Sequence, residues 1–196
     1  MKPTNMYKIA LTGGIGTGKT YLSKHFIQMG IPVFYADDEA KKLYEDATFQ
    51  QKLMELFDDP DLVSDQKVNI AVLSKLVFGN EENLQKLNRL VHPAVMERFV
   101  CWAEEQQAPA VMMESAIVFE AGLTDYFDKI IVVNAPLELR IQRVQERNPH
   151  LSREDILQRM SHQMPQEEKC QRADLVICTG ETYTMSRNFI HGESLF

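Results

Sequence analysis

The feature that most restricts how this chain can fold is a phosphate-binding loop pattern, G-x-x-x-x-G-K-S/T, near the N-terminus. The pattern is carried by Gly13, Gly14, Ile15, Gly16, Thr17, Gly18, Lys19 and Thr20. An apolar run before it predicts a strand, and Leu22, Phe26 and Met29 after it are spaced as on one face of a helix. Glycines let backbone N–H groups point inward, and the following helix adds its positive end. The pattern therefore predicts binding of a nucleoside triphosphate.

Two polar residues close this loop, and their side chains suit the chemistry of bound phosphates. Lys19 is long enough to reach the β- and γ-phosphates, and the hydroxyl of Thr20 is a suitable ligand for Mg²⁺. We therefore expect ATP and Mg²⁺ as the cofactors. A glycine-rich turn that fits the pattern by chance is the alternative, and the flanking strand and helix argue against it.

Composition limits the class of protein. The chain has 196 residues, 44% of them apolar and 25% charged, which suits a single globular domain with one hydrophobic core. The net charge of −7 argues against a sequence-independent nucleic-acid binder. Three cysteines without a C-x-x-C pair suggest neither a disulfide framework nor a zinc site. No apolar run reaches the roughly 20 residues that span a bilayer, so we expect a cytoplasmic protein without membrane or nucleic-acid partners.

Strand and helix patterns alternate along much of the chain. This alternation predicts an α/β fold with a parallel sheet of about five strands flanked by helices. The predicted strands are Ile9–Thr12, Pro32–Tyr35, Ala110–Met113, Lys129–Asn134 and Leu175–Cys178. Residues from about 38 to 107 show helical periodicity and no good strand, with Pro93 placed to begin a helix. We therefore expect one domain, with a core at about 7–37 and 108–196 and a helical insertion between.

A later helical pattern carries three arginines on one stripe, Arg140, Arg143 and Arg147. The segment Asn148–Leu151 contains a proline and is expected to break this helix, after which Ser152 can cap the next one. Two helices joined by a short break would form a mobile lid over about 140–160. The arginines could neutralise charge on a transferring phosphoryl group. Alternatively they form a solvated face, paired with Glu138 and Glu146.

Other polar residues follow predicted strands. Asp37 comes after the second strand, and ligands of such sheets bind beyond the carboxyl ends of strands. Its carboxylate could accept a proton from a hydroxyl or hold a metal-bound water, or it could simply place charge at a helix start with Asp38. Glu114 ends the third strand and could face Mg²⁺ or be a solvated carboxylate. His92 precedes a proline, and from spacing alone it is more typical of a structural residue.

Taken in order, these motifs resemble the dephospho-CoA kinase family of the nucleoside-monophosphate-kinase-like group. The resemblance extends over about residues 7 to 180. It is carried by the loop with its Leu11-Thr12 prefix, Ala36-Asp37, Leu87-Asn88 with His92-Pro93, Val118-Phe119-Glu120, the arginine helix, and Arg172-Ala173-Asp174 with the strand that follows. The family's usual Ile-Asp-Asn-x-Gly reads Ile177-Cys178-Thr179-Gly180 here, and the residues after it look weakly helical.

The resemblance implies a function and a role for each part of the chain. It implies ATP-dependent phosphorylation of the ribose 3′-hydroxyl of dephospho-CoA, by a nucleotide-binding core, a helical acceptor-binding insertion and a lid. Asp37 then becomes the catalytic base, and His92 lies near the acceptor. The expected catalytic set is Asp37, Lys19 and Arg140, with Arg143 and Arg147 on the nucleotide and Thr20 and Glu114 on the metal. The expected assembly is a monomer or a weak homo-oligomer.

Two other functions stay open at this point. Another small-molecule kinase of the same fold would act on a nucleoside monophosphate or a sugar. A non-catalytic nucleotide-binding regulator would be expected to have lost Lys19, Thr20 or the carboxylate, and all of them are present. No Asn-Lys-x-Asp tetrapeptide for guanine occurs, which argues against a GTPase switch.

Overall fold

A computed structural model describes residues 6–180 and 183–186, the last four by their backbone alone. The described residues form two compact units. Residues 35–105 make one, which we call the helical unit, and the residues before and after it make the other, which we call the sheet unit. None of the helices described for this chain is long and apolar enough to cross a bilayer.

The elements alternate in chain order as follows. The strands are β1 (Tyr7–Thr12), β2 (Val33–Tyr35), β3 (Val63–Ser64), β4 (Lys67–Val68), β5 (Ala110–Glu114), β6 (Lys129–Asn134), β7 (Leu175–Thr179) and β8 (Tyr183–Ser186). The helices are α1 (Lys19–Gln28), α2 (Ala36–Leu43), α3 (Ala47–Phe57), α4 (Ile70–Val77), α5 (Glu81–Glu105), α6 (Leu137–Arg147), α7 (Arg153–Ser161) and α8 (Gln166–Gln171), with a 3₁₀ turn at Thr124–Tyr126.

The main sheet has the strand order β2-β5-β1-β6-β7-β8. Its first five members are the five predicted strands, and the pairings of β1 with β5 and β6, and of β6 with β7, are parallel. The predicted parallel α/β sheet is confirmed. The expectation of weak helix after Gly180 is wrong for Tyr183–Ser186, whose backbone pairs antiparallel with β7. This pairing satisfies backbone groups that β7 would otherwise leave open at the sheet edge; residues 187–196 lie outside the described part.

Burial explains why these apolar runs become strands. Ile9, Leu11, Met112 and Ile131 are fully or almost fully buried in one cluster, which also includes Phe26 of α1. Parallel strands are covered by helices on both faces, so their sequences are nearly continuous runs of apolar residues. The predicted stripe on α1 is wrong at Met29, which lies beyond the end of the helix and is 66% exposed.

The helical unit differs from the sequence expectation in two places. A two-stranded hairpin, β3 with β4, occurs where no strand was predicted. Its turn residues, Asp65 and Gln66, both have positive φ, which is the geometry of the tight turn that joins twisted strands. The usual signal for such a turn is Asn-Gly or Asp-Gly, and neither is present, so local sequence does not predict this hairpin.

Pro93 does not begin a helix, because α5 runs without interruption on both sides of it. The helix begins after Asn80, whose side chain accepts a 3.0 Å hydrogen bond from the Asn83 N–H. An internal proline costs about 3 kcal/mol. Buried residues on both sides of it, including Leu87 and Phe99, each contribute about 1.5–3 kcal/mol on burial. Packing therefore outweighs the lost hydrogen bond, and Pro93 itself lies on the exposed face.

The predicted break between the two later helices is confirmed. Helix α6 ends at Arg147, and α7 begins at Arg153 after a capping box. In that box Asp155 N–H donates to Ser152 Oγ at 3.1 Å, and Ser152 N–H donates to the Asp155 carboxylate at 3.0 Å. Burial of Ile141 with Ile156 packs the two helices together. The two helices therefore pack against each other within the sheet unit.

Candidate active site

The phosphate loop joins β1 to α1 and depends on glycine at several positions. Gly13, Gly16 and Gly18 have φ of +145°, +81° and +95°, values that L side chains rarely adopt. A Cβ on Gly13 would also overlap the carbonyl oxygen of Val133 in β6. The loop therefore takes its shape both from its own backbone and from close contact with the neighbouring strand.

Inside the loop, two side chains contact backbone carbonyls. The buried hydroxyl of Thr17 donates to the Gly14 carbonyl at 2.9 Å. The Lys19 ammonium donates to the Gly13 carbonyl at 2.8 Å. The charge of Lys19 is thus held over the loop, where the motif places a phosphate. The first N–H groups of α1 have no partner within the helix, so they extend the anion-binding surface.

The predicted metal ligands belong to neighbouring elements of the sheet unit. Thr20 lies in the first turn of α1, where it is exposed. Glu114 is the last residue of β5 and is half-buried. It follows Ala110 and Met112 at two-residue spacing, so its side chain points to the face of the sheet that α1 covers. Among the described residues, no group of three His, Cys, Asp or Glu side chains could hold a metal ion alone.

Two of the three arginines of α6 contact the loop. Arg140 is only 8% exposed, and its Nε donates to the Ile15 carbonyl at 2.9 Å. Burial lowers the pKa of the Arg140 guanidinium, an effect that Glu167 opposes. Arg143 donates from Nη1 to the Thr179 hydroxyl at 2.8 Å and lies 3.4 Å from the carbonyl oxygen of Gly16. Both residues therefore support the loop from the side of α6.

Arg147 differs from the other two because it is exposed at the end of α6 and makes no ion pair with the described residues. The glutamates named as possible partners of these arginines bind other residues. Glu138 pairs with Arg153 of α7 at 2.6 Å, and Glu146 accepts from Gln142 at 2.9 Å. None of the three arginines pairs with these glutamates.

Three residues that sequence reasoning missed also hold the loop. Gln166 Oε1 accepts from the Gly14 N–H at 2.8 Å, and Gln163 Oε1 accepts from the Ile15 N–H at 3.0 Å. The Thr179 hydroxyl donates to the Thr17 carbonyl at 2.6 Å. These contacts join residues about 150 or more positions apart, so no local pattern could reveal them.

The acidic residues at the start of α2 separate into two kinds. Asp38 pairs with Lys41 at 2.8 Å, and Glu39 pairs with Lys42 at 2.5 Å. Asp37 is exposed, and its carboxylate forms no hydrogen bond or ion pair with any residue that the structure describes. Of the three, Asp37 is therefore the carboxylate available to a substrate.

His92 lies in the middle of α5, in the helical unit, and is half-buried. Burial lowers the pKa of its imidazole below the usual value. The ring is therefore neutral at pH 7, with one nitrogen that donates and one that accepts hydrogen bonds.

A cleft of about 960 Å³ lies within the sheet unit. Its walls include Arg140, Gln163 and Gln166, which all contact the loop, together with apolar residues such as Leu157 and Met160. Side chains that hold the loop thus also line space for a ligand of small-molecule size.

A glycine-rich loop at the carboxyl end of β1, in a five-stranded parallel sheet with helices, defines a phosphate-loop kinase fold. A sequence model of the dephospho-CoA kinase family matches residues 7–183, so the chain belongs to that family.

Individual relatives agree with this assignment. The dephospho-CoA kinase of Bacteroides fragilis strain YCH46 is 39% identical over 172 residues, which cover 87% of this chain and 83% of the relative. That of Latilactobacillus sakei is 36% identical, with 87% and 86% covered. The crystal structure of a Thermus thermophilus protein superposes with a TM-score of 0.80 at 35% identity and covers 91% of each chain.

Proposed function

We propose that this protein transfers the γ-phosphoryl group of ATP to the ribose 3′-hydroxyl of dephospho-CoA, which yields coenzyme A and ADP. One observation carries the proposal. The loop of a chain in the dephospho-CoA kinase family is folded with Lys19 over it and with its glycines in the positive-φ conformations that such a loop needs. The reaction is the last step of coenzyme A biosynthesis.

In this proposal the sheet unit binds ATP. Backbone N–H groups of the loop and of the first turn of α1 donate to phosphate oxygens, and Lys19 leaves the Gly13 carbonyl for the β- and γ-phosphates. Arg143 and Arg147 contribute further positive charge. Phosphoryl transfer is accelerated mainly by positioning and by stabilising charge, which is what these cations supply.

Asp37 is the proposed catalytic base. Its carboxylate accepts the proton of the 3′-hydroxyl as that oxygen bonds to the γ-phosphorus and the bond from phosphorus to the ADP oxygen breaks. Among the residues that the structure describes, Asp37 makes no ion pair, in contrast to Asp38 and Glu39, and this difference supports the choice. We place His92 beside the acceptor, where a neutral imidazole could orient a hydroxyl or a phosphate.

The residues present suit Mg²⁺ in their chemistry. An exposed threonine hydroxyl at the start of α1 and a glutamate on the same face of the sheet provide oxygen ligands, the kind that Mg²⁺ prefers. We propose that Thr20 and Glu114 would hold the ion. When bound, Mg²⁺ would neutralise phosphate charge.

The domain roles are also part of the proposal. The helical unit would bind the acceptor, and residues of about 140–160 would act as a lid. Arg140 belongs to the proposed catalytic set; its contact with the Ile15 carbonyl supports a role in holding the loop when the phosphates arrive. We further propose a cytoplasmic monomer or weak homo-oligomer.

A substrate panel tests the proposed reaction. ADP release is measured with Mg·ATP and either dephospho-CoA, AMP or shikimate, and the product is weighed by mass spectrometry. We expect rapid turnover of dephospho-CoA alone, with a mass gain of one phosphoryl group. Faster turnover of AMP or shikimate would reassign the protein to another kinase of the same fold.

A further inference from the structure

Gln166 connects the phosphate loop to the sheet through both ends of one amide group. Its Oε1 accepts from the Gly14 N–H at 2.8 Å, and its Nε2 donates to the Val133 carbonyl at 3.0 Å. The side chain is only 7% exposed, so water does not compete freely for these contacts. A backbone N–H can only donate and a carbonyl can only accept, so the two partners fix the orientation of the amide.

Gln163 holds the next residue of the loop in a similar way. Its Oε1 accepts from the Ile15 N–H at 3.0 Å. Two consecutive N–H groups at the start of the loop are therefore bound to side chains from the segment around the start of α8. The motif assigns anion binding to N–H groups farther along, at the start of α1. The two glutamines thus set where the anion-binding part of the loop begins.

An ion pair between buried Lys169 and Glu120 also holds this segment. Lys169 is 0% exposed, and its Nζ lies 2.7 Å from Glu120 Oε1 and 2.6 Å from the Ala116 carbonyl. The same Glu120 oxygen accepts from the Met164 N–H at 2.9 Å. Because the Lys169 ammonium is buried, loss of Glu120 would leave its charge uncompensated, so the pair favours the observed position of the segment.

We propose that Gln166 and Gln163 are positioning residues for phosphoryl transfer, and that the Glu120–Lys169 pair keeps both glutamines aligned with the loop. They preset the loop backbone so that its later N–H groups meet the phosphates of ATP without a rearrangement of the backbone. The inference deepens the proposed function and rests on it for the reaction. Nucleotide binding itself can be tested without the acceptor.

The first test replaces the amide of Gln166 with groups of similar length. Gln166→Met removes both hydrogen bonds, and we expect the Kd for ATP, measured by calorimetry without acceptor, to rise about tenfold or more. The KM for dephospho-CoA should stay within about twofold. The matched control is Gln171→Met at the exposed end of α8, which should change neither quantity. An unchanged Kd in folded Gln166→Met would overturn the proposal.

Gln166→Glu supplies a readout that a merely structural role would not give. An ionised carboxylate cannot donate to Val133 and repels the phosphates, so at pH 8 this variant should bind ATP more weakly than Gln166→Met. A protonated carboxyl can both accept and donate, and burial favours that form as the pH falls. The ratio of the variant's Kd to that of the wild type should therefore fall about threefold or more between pH 8 and pH 6. A constant ratio would argue against positioning by the amide.

The second test addresses the ion pair. Lys169→Met and Glu120→Gln should each weaken ATP binding and lower the melting temperature, while the double variant should lose less than the sum of both. The exposed pair Lys86 and Glu82, changed in the same way, is the control and should show additive, small effects.

Should the Lys169 variants fail to fold, Gln163→Met still tests the proposal. The Gln163 side chain is only half-buried, and its loss should still raise the Kd for ATP. Wild-type affinity in Gln163→Met would remove Gln163 from the positioning set.

Discussion

The hydroxyl of Thr179, at the end of β7, donates a 2.6 Å hydrogen bond to the carbonyl oxygen of Thr17 in the phosphate loop. The same hydroxyl accepts from Arg143 Nη1 at 2.8 Å. With 2% exposure, Thr179 joins the loop, the arginine helix and the sheet at a point that water hardly reaches. The position of Arg143 therefore depends on a residue that follows it by 36 positions.

Thr179→Val tests this link because it keeps the shape of the side chain and removes the hydroxyl. We expect the free energy of unfolding to fall by about 1–3 kcal/mol, since the Thr17 carbonyl and Arg143 lose a buried partner. The KM for ATP should also rise. Urea denaturation and steady-state kinetics measure the two effects. Thr48→Val, at an exposed position in α3, is the control; equal behaviour of the two variants would show that the hydroxyl does not hold the loop.

Lys19→Ala should lower kcat about 10²–10³-fold or more, because it removes a charge that stabilises the transition state. Lys24→Ala is the matched control, since Lys24 lies on the same helix and is exposed. Rapid-quench measurement of the chemical step would separate this effect from product release. Near-normal kcat in Lys19→Ala would contradict the role assigned to the loop.

Asp37→Asn should lower kcat about 10²–10⁴-fold and leave ATP affinity nearly unchanged, because the amide keeps the shape but accepts no proton. The neighbouring change Asp38→Asn breaks only an exposed pair with Lys41 and should cost about 0.5 kcal/mol of stability or less, with normal kcat. Calorimetry with ATP distinguishes a base from a nucleotide ligand. If Asp38→Asn proves the slower enzyme, the base has been assigned to the wrong carboxylate.

His92 predicts a pH effect on stability. Burial holds its pKa in the folded protein below the unfolded value of about 6.5, so between these two values the unfolded chain binds more protons. The contribution of His92 to the free energy of unfolding is complete above pH 6.5 and is lost as the pH falls through the pKa of the folded protein. Removing the imidazole in His92→Gln should therefore flatten the fall in unfolding free energy between pH 7.5 and pH 5.5. His162→Gln, at an exposed residue, is the matched control.

The proposed lid predicts a change in hydrogen exchange. Amides of residues 140–160 should exchange more slowly when ATP and an acceptor analogue are both bound, because closure over substrates excludes water. Arg147→Ala should then lower kcat more than it weakens ATP binding, since Arg147 is exposed and lacks a protein partner among the described residues. Unchanged exchange together with normal kinetics would show that Arg147 is only a solvated residue of α6.

Sequence alone determined the parts that depend on neighbours in the chain. The loop motif, the five apolar strands and the helix break before Ser152 are local patterns, because backbone conformation, side-chain alternation and capping act within a few residues. The strand assignments and the capped start of α7 agree with the structure for that reason.

Tertiary structure decided the features in which distant residues compete or cooperate. Pro93 stays within α5 because packing on both sides outweighs the missing hydrogen bond, and Tyr183–Ser186 is a strand because β7 offers it a pairing edge. The contacts of Gln166 and Gln163 with the loop exist only because the chain returns there more than 140 residues later. Such contacts leave no local pattern, since their energy depends on burial and geometry that only the folded chain creates.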